Sequence, residues 1–180
     1  MIHLGIFSGS KTIAGMDRIT SQLREIADGL DIDKFTIVYG GGMSGLMGVI
    51  PKHYAGRGGR VIGVDADMFV KRFGSADFGE LEVHSTFAER QRGLIDKSDM
   101  VLVLPGGLGT MSEWFDVMTL NDLKLRNIPV VVYNPDGFYD DIIRFIEKRQ
   151  GDGFVRDIKS VTYADRADTV LRAILEKKSK

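Results

Sequence analysis

Five short runs dominated by branched apolar residues recur along the chain, at positions 2–7, 35–39, 60–64, 100–104 and 128–133. Their apolar residues are consecutive rather than alternating, the pattern of strands covered on both faces. The segments between them carry helical spacing instead. Ile19, Leu23, Ile26 and Leu30 repeat at three or four, and Phe115, Met118 and Leu123 do so roughly. Phe138, Ile142, Ile143 and Ile146 form a third such set, and residues 167–178 put Val170, Leu171, Ile174 and Leu175 on one side. Parallel strands need a crossover between them, so strands alternating with helices specify an α/β fold: Rossmann-like, doubly wound, with a mostly parallel sheet and helices on both faces. No repeat, linker or charge block divides the sequence, and residues 1–180 read as a single Rossmann-like nucleotide-binding domain. The stretch 67–82, with Gly74, Gly79 and scattered charge, is the least regular and reads as an excursion near the ligand-binding end.

Charge narrows the functional classes. Lys and Arg number 24 against 25 Asp and Glu, a net charge of −1, so no overall field attracts a nucleic acid polymer or an anionic membrane surface. Cysteine is absent, which removes disulfides, thiolate catalysis and cysteine-held metals and suits a reducing cytoplasm. No run of eighteen apolar residues occurs, and the first residues lack the charged and apolar regions of a signal peptide. The expectation is a cytoplasmic protein.

One residue type is in excess. Glycine occurs 22 times and proline only 4 times, against an average glycine usage of roughly 7%. The surplus gathers where predicted strands end: Ser8-Gly9-Ser10, Gly40-Gly41-Gly42-Met43-Ser44-Gly45, and Pro105-Gly106-Gly107-Leu108-Gly109-Thr110. In open α/β sheets ligands bind at the carboxyl ends of strands. Glycine there lets backbone N–H groups approach an anion, and the following helix N-terminus favours negative charge, so phosphate is the natural ligand. The second loop also fits G-x-G-x-x-G through Gly40, Gly42 and Gly45, with Asp65 twenty residues beyond Gly45 as a ribose-binding acid. Three glycines in a row satisfy that pattern easily, and the fingerprint ordinarily follows the first strand.

Two charged residues could carry chemistry. Thr110-Met111-Ser112-Glu113 is a capping-box sequence, in which Glu113 would reach back to Thr110 at a helix start; the functional reading instead places Glu113 one turn above a bound phosphate, facing a sugar. Asp116 follows on nearly the same face. Arg90, in the helix opened by Glu89-Arg90-Gln91-Arg92, could hold the substrate phosphate or Glu113. His3, His53 and His84 lack metal-ligand spacing, and neither metal nor cofactor is expected.

Tyr39-Gly40-Gly41-Gly42 with Gly45-Leu46-Met47-Gly48, Gly58-Gly59-Arg60-Val61-Ile62-Gly63-Val64, Glu89-Arg90, and above all Pro105-Gly106-Gly107-Leu108-Gly109-Thr110-x-x-Glu113 resemble the LOG family. The similarity runs from the first strand to about Phe145. The family comprises cytokinin riboside 5'-monophosphate phosphoribohydrolases, long described as possible lysine decarboxylases. Nothing in this sequence marks a lysine for a Schiff base with pyridoxal phosphate. The resemblance implies hydrolysis of the N-glycosidic bond of a nucleoside 5'-monophosphate, a cytokinin riboside monophosphate or an AMP-like one, to free base and ribose 5-phosphate. It also implies a homodimer. By the same resemblance Arg90 and Glu113 are catalytic, and the substrate is bound by Ser10, Gly42, Gly106, Gly107, Gly109 and Thr110, with Glu80 near the base and Thr119 on the ligand side of the helix after the motif.

The chain departs from the family's M-x-x-R-K pattern, having Phe87-x-x-Arg90-Gln91, and Ser112 stands where an acid is frequent. These departures bear on substrate choice. A nucleosidase for another nucleotide such as CMP, and a nucleotide-binding module without turnover, are the alternatives; the presence of Glu113 speaks against the second, since phosphate binding alone needs no acid there. An NAD-linked oxidoreductase lacks an obvious proton-transfer residue.

Overall fold

The computed structural model describes residues 1–11, 15–156 and 158–178. The chain alternates β1 (Ile2–Phe7), α1 (Asp17–Gly29), β2 (Phe35–Tyr39), α2 (Val49–Gly56), β3 (Arg60–Ala66), α3 (Asp67–Phe73), β4 (Glu80–His84), α4 (Phe87–Asp96), β5 (Met100–Val103), α5 (Leu108–Asp122), β6 (Val130–Tyr133), α6 (Asp140–Gly151), β7 (Val161–Ala164) and α7 (Ala167–Lys178). The seven strands form one sheet in the order β4-β3-β2-β1-β5-β6-β7. Every pairing is parallel. Chain order therefore reverses between β1 and β5: the first four strands wind outward on one side and the last three on the other.

Each inner strand divides its side chains between two cores. Leu4 and Ile6, Ile37 and Tyr39, Leu102 and Leu104, and Val131 and Tyr133 pack with α1, α2 and α7. Phe7, Val38, Val101, Val103, Val130 and Val132 pack on the other face with Leu94 of α4, Trp114 and Val117 of α5 and Ile146 of α6. A period of two with both faces apolar is why these strands read as unbroken hydrophobic runs. Fully burying one such side chain is worth about 1.5–3 kcal/mol, so the two cores fix the helices on either side of the sheet. Among the described residues no helix is long and apolar enough to cross a membrane.

The fold class stands as expected, with local corrections. Two edge strands escape the five-run reading: β4, whose Glu80, Leu81 and Val83 are exposed, and β7, in which only Ala164 is buried. The irregular stretch 67–82, read as an excursion, contains α3 and enters β4. In α5 the buried face is Thr110, Glu113, Trp114 and Val117, whereas Phe115 and Leu123, expected to face inward, are exposed.

Candidate functional site

The reversal between β1 and β5 is the kind of switch point at which open α/β sheets bind ligands, and glycine lets the loops there approach closely. Gly9 N donates to the Pro105 carbonyl at 3.1 Å and Met47 N to the Gly9 carbonyl at 3.2 Å. Gly45, at φ +63°, lies so near the Gly9–Lys11 backbone that a Cβ would sit 2.7–2.8 Å from it. The three glycine loops expected at one sheet edge thus meet.

They differ in what their glycines serve. A Cβ at Gly40 would stand 2.2 Å from Arg90 Nη2, one at Gly41 2.7 Å from Asp65 Cβ, and one at Gly42 2.5 Å from Met47 Cε. The second loop is closely packed over Arg90 of α4, Asp65 of β3 and its own Met47. Around Gly107 and Gly109, by contrast, nothing lies within 4 Å of a built Cβ. Gly107 is the N-cap of α5, and Gly109 is in its first turn, so this helix N-terminus, whose first N–H groups have no intrahelical partner, opens outward with the positive end of its dipole. Tyr139, from the start of α6, braces the turn behind it: its hydroxyl donates to the Leu104 carbonyl at 2.8 Å, and burial pushes its pKa upward while the backbone of Gly106 opposes that shift.

The capping-box expectation at Thr110 fails. Helix α5 begins at Leu108, two residues before Thr110, and has no side-chain cap. Thr110 is buried, with Oγ1 crowded against Gly106, and Glu113 stands a turn too deep to reach an N-cap. The same sequence pattern forms a true capping box elsewhere: Thr86 Oγ1 accepts from Glu89 N at 3.2 Å, and Glu89 Oε2 accepts from Thr86 N at 3.0 Å. That box starts α4 and so positions Arg90.

Arg90 and Glu113 form one unit. Nη1 of Arg90 donates to Glu113 Oε1 at 2.5 Å, and the two residues are 8% and 7% exposed. Arg90 Nε donates to the Val64 carbonyl at 3.2 Å and Nη2 to the Gly40 carbonyl at 3.4 Å. The guanidinium is therefore held on three sides, by α5, β3 and the second glycine loop. Burial raises the pKa of Glu113, and the charge and hydrogen bond of Arg90 oppose it while Asp116 adds to it. Arg90 thus holds Glu113, one of the two roles open to it in the sequence.

A second acid lies close by. Asp65, at the carboxyl end of β3, is 3% exposed and accepts from Ala66 N at 2.8 Å through Oδ1. Burial raises its pKa, against the Ala66 N–H and the charge of Arg90. In sequence Asp65 stood out only as the acid of a dinucleotide fingerprint; packed beneath Gly41, it has another setting.

The remaining expected site residues separate. Ser10, Gly42, Gly106, Gly107, Gly109 and Thr110 lie in or beside the meeting loops. Glu80 does not: it pairs with Ile62 in the amino-terminal half of β3, is exposed, and accepts from Arg60 Nε at 2.9 Å. The parallel register carries it away from the sheet edge that holds the glycine loops. Thr119 is exposed on α5, about 9 Å of helix rise beyond Glu113, and its hydroxyl donates to the Phe115 carbonyl at 2.8 Å. The two departures from the family pattern touch each other, since Gln91 Nε2 donates to Ser112 Oγ at 3.0 Å and to Asp116 Oδ2 at 2.5 Å.

A doubly wound sheet with an open helix N-terminus at its switch point and a buried guanidinium–carboxylate pair beside it defines a Rossmann-like α/β protein. Comparison with known proteins narrows that class. The profile of the family described as "Possible lysine decarboxylase" matches residues 47–174, and the chain belongs to this family, the LOG family. Two Arabidopsis thaliana cytokinin riboside 5'-monophosphate phosphoribohydrolases are 32% identical over 133 residues, covering 73% of this chain and 58% of the relative, and 37% identical over 120 residues, covering 66% and 56%. The enzyme of the same name from Rhodococcoides fascians is 35% identical over 124 residues, covering 68% and 63%. The match thus spans a little over half the length of these relatives. The fold is shared with the molybdenum cofactor binding protein of Rippkaea orientalis, at TM-score 0.74 and 16% identity, over 98% of this chain and 97% of that one. The molybdenum cofactor carrier protein of Chlamydomonas reinhardtii is similar at TM-score 0.72 and 19% identity, over 99% of each chain. At these identities the likeness is one of fold.

Proposed function

We propose that the chain is a nucleoside 5'-monophosphate phosphoribohydrolase: water adds to C1' of the ribose, the C1'–N bond breaks, and free base and ribose 5-phosphate leave. A cytokinin riboside 5'-monophosphate or an AMP-like nucleotide is the substrate. The observation that carries this reading is the buried Arg90–Glu113 pair beside the open start of α5. The N–H groups from Gly107 to Thr110 take the 5'-phosphate, with Ser10, Gly42 and Gly106 at the edge of the cradle. Glu113, one turn further along, then lies under the sugar. Breaking the C1'–N bond develops positive charge on the ribose, and a carboxylate there stabilises it or takes a proton from the attacking water. Arg90 opposes the cost that burial puts on the ionised form of Glu113 and fixes its orientation. The base extends over the surface between α4 and α5, where Gln91, Asp116 and Thr119 lie.

The working form is a homodimer. Phe87, Leu108 and Phe115 are exposed on the two helices that carry Arg90 and Glu113, an apolar surface for a second copy to cover.

Incubation with AMP, CMP and isopentenyladenosine monophosphate, followed by chromatography, should yield free base from at least one nucleotide. Glu113→Gln should lose about 10²-fold or more of that rate, the scale of removing a group aimed at transition-state charge. Light scattering on the same preparation should give twice the chain mass, and a monomeric mass with full activity would remove the dimer. Tight nucleotide binding without base release would replace the reading with that of a carrier or sensor.

A further inference from the structure

Side chains join α4 to α5 at two successive levels. The inner contact is the buried one, from Arg90 to Glu113. The outer one starts at the next residue of α4: Gln91 Nε2 donates to Ser112 Oγ at 3.0 Å and to Asp116 Oδ2 at 2.5 Å, and both Ser112 and Asp116 are exposed. A carboxylate only accepts, so the Gln91 amide must turn its nitrogen toward Asp116. Both hydrogens of that nitrogen are then spent. Among the described residues Asp116 Oδ1 and Gln91 Oε1 accept no hydrogen bond, and the Ser112 hydroxyl keeps its own hydrogen to donate.

Along α5 the open start at Gly107 and Gly109, the buried Glu113 and the exposed Asp116 follow one another. Asp116 stands three residues past Glu113, about 4.5 Å of helix rise further and on nearly the same face. A nucleoside 5'-monophosphate carries phosphate, ribose and base in that same order. We propose that Asp116, held by Gln91, is a specificity-determining residue whose free carboxylate oxygen accepts from the exocyclic amine of the base. The site then takes nucleotides of amino-bearing bases, adenine with its N-alkylated forms and cytosine, over those of their oxo counterparts. This assignment rests on the proposed hydrolysis for the placing of the base. Adenine and cytosine present an amine N–H beside a ring nitrogen that accepts. Hypoxanthine and uracil present an oxo oxygen beside a ring N–H. A carboxylate acceptor with a hydroxyl donor next to it fits the first pattern, and in the second it meets oxygen lone pairs with negative charge. The Gln91 nitrogen, committed on two sides, has no hydrogen left for an oxo group.

Base release is measured with AMP against IMP and with CMP against UMP. In whichever pair is turned over, kcat/KM for the amino nucleotide should exceed that for the oxo one by about tenfold or more, the scale of a hydrogen bond to a charged group. In Asp116→Asn the Gln91 nitrogen still needs an acceptor, so the new amide turns its oxygen to Gln91 and its nitrogen to the base. The preference should then be lost or inverted, whereas general damage to the site would lower both nucleotides together. Equal kcat/KM for the two members of a pair in the wild type, or a preference that survives Asp116→Asn, overturns the proposal. If that variant does not fold, Gln91→Met decides: with the carboxylate untethered the AMP-to-IMP ratio should fall through a raised KM for AMP, and an unchanged ratio overturns it. Should no nucleotide release base, equilibrium dialysis compares AMP with IMP. Tighter binding of AMP that Asp116→Asn abolishes rejects the hydrolase and leaves the amine contact standing; equal dissociation constants reject both.

Discussion

At the scale of single residues, the glycines of the second loop change meaning once neighbours are known. In sequence Gly40 was part of a phosphate loop; in the structure it is the seat of Arg90, with a Cβ position 2.2 Å from Nη2 and 2.9 Å from Met47 Sδ. Gly40→Ala should therefore displace the guanidinium from Glu113 rather than disturb the loop itself. Both obstacles are ends of flexible side chains, so the stability cost should stay near the about 1–3 kcal/mol typical of overpacking. The rate of base release should fall much further, by about 10²-fold, because about 1 Å of misplacement is enough for that. Urea denaturation beside the nucleotide assay measures both, and a variant with wild-type rate would show that Arg90 need not be where it lies. Glu113 was legible as a site residue and as a cap with the same letters. What separated the two was the start of α5 at Leu108, set by the Gly106–Gly107 turn and not by Thr110. Thr86-Phe87-Ala88-Glu89 carried the genuine cap in plain view.

At the scale of elements, the inner strands were readable because both their faces are apolar, and β4 and β7 were not because edge strands lack a second covered face. Glu-Leu-Glu-Val-His alternates, which signals half-exposure, and its charges resemble those of a loop. Contacts between helices were invisible for a different reason, since nothing along the chain pairs Gln91 with Ser112, 21 positions on. The two departures from the family pattern were read separately as hints about the substrate. Their hydrogen bond, with the second one from Gln91 to the Asp116 carboxylate, makes them one tie between α4 and α5, the helices bearing Arg90 and Glu113. Gln91→Lys alone sets an ammonium beside Ser112 and Asp116, whereas Gln91→Lys with Ser112→Glu gives it a second opposite charge. A double-mutant cycle in urea should give a favourable coupling of about 0.5–1 kcal/mol, the range of partly exposed contacts. A coupling near zero would mean that the two positions vary independently, and would return Gln91 to the question of which base is accepted.

At the scale of the whole molecule, the order β4-β3-β2-β1-β5-β6-β7 makes the β1–β5 boundary the place where successive connections diverge, and the helix that follows β5 carries glycine at its N-cap and in its first turn instead of better helix formers. Stability does not ask for this. Gly109 has open space where a Cβ would stand, it lies within α5, and its φ is not among the positive ones. Alanine at such a position should stabilise the unliganded fold by about 0.5–1 kcal/mol. A ligand whose phosphate sits against the first turn of α5 needs that same space. Wild-type protein given ribose 5-phosphate at about 100 times its Kd should gain about 2.7 kcal/mol, or about 5–10 °C in Tm for a chain of this length. Gly109→Ala should melt higher than wild type without the sugar phosphate and gain little when it is added. Opposite signs in the two conditions are what distinguish a glycine kept for a ligand from one kept for a turn; a variant that melts lower when unliganded, or that retains the full ligand shift, would place the phosphate somewhere other than the start of α5.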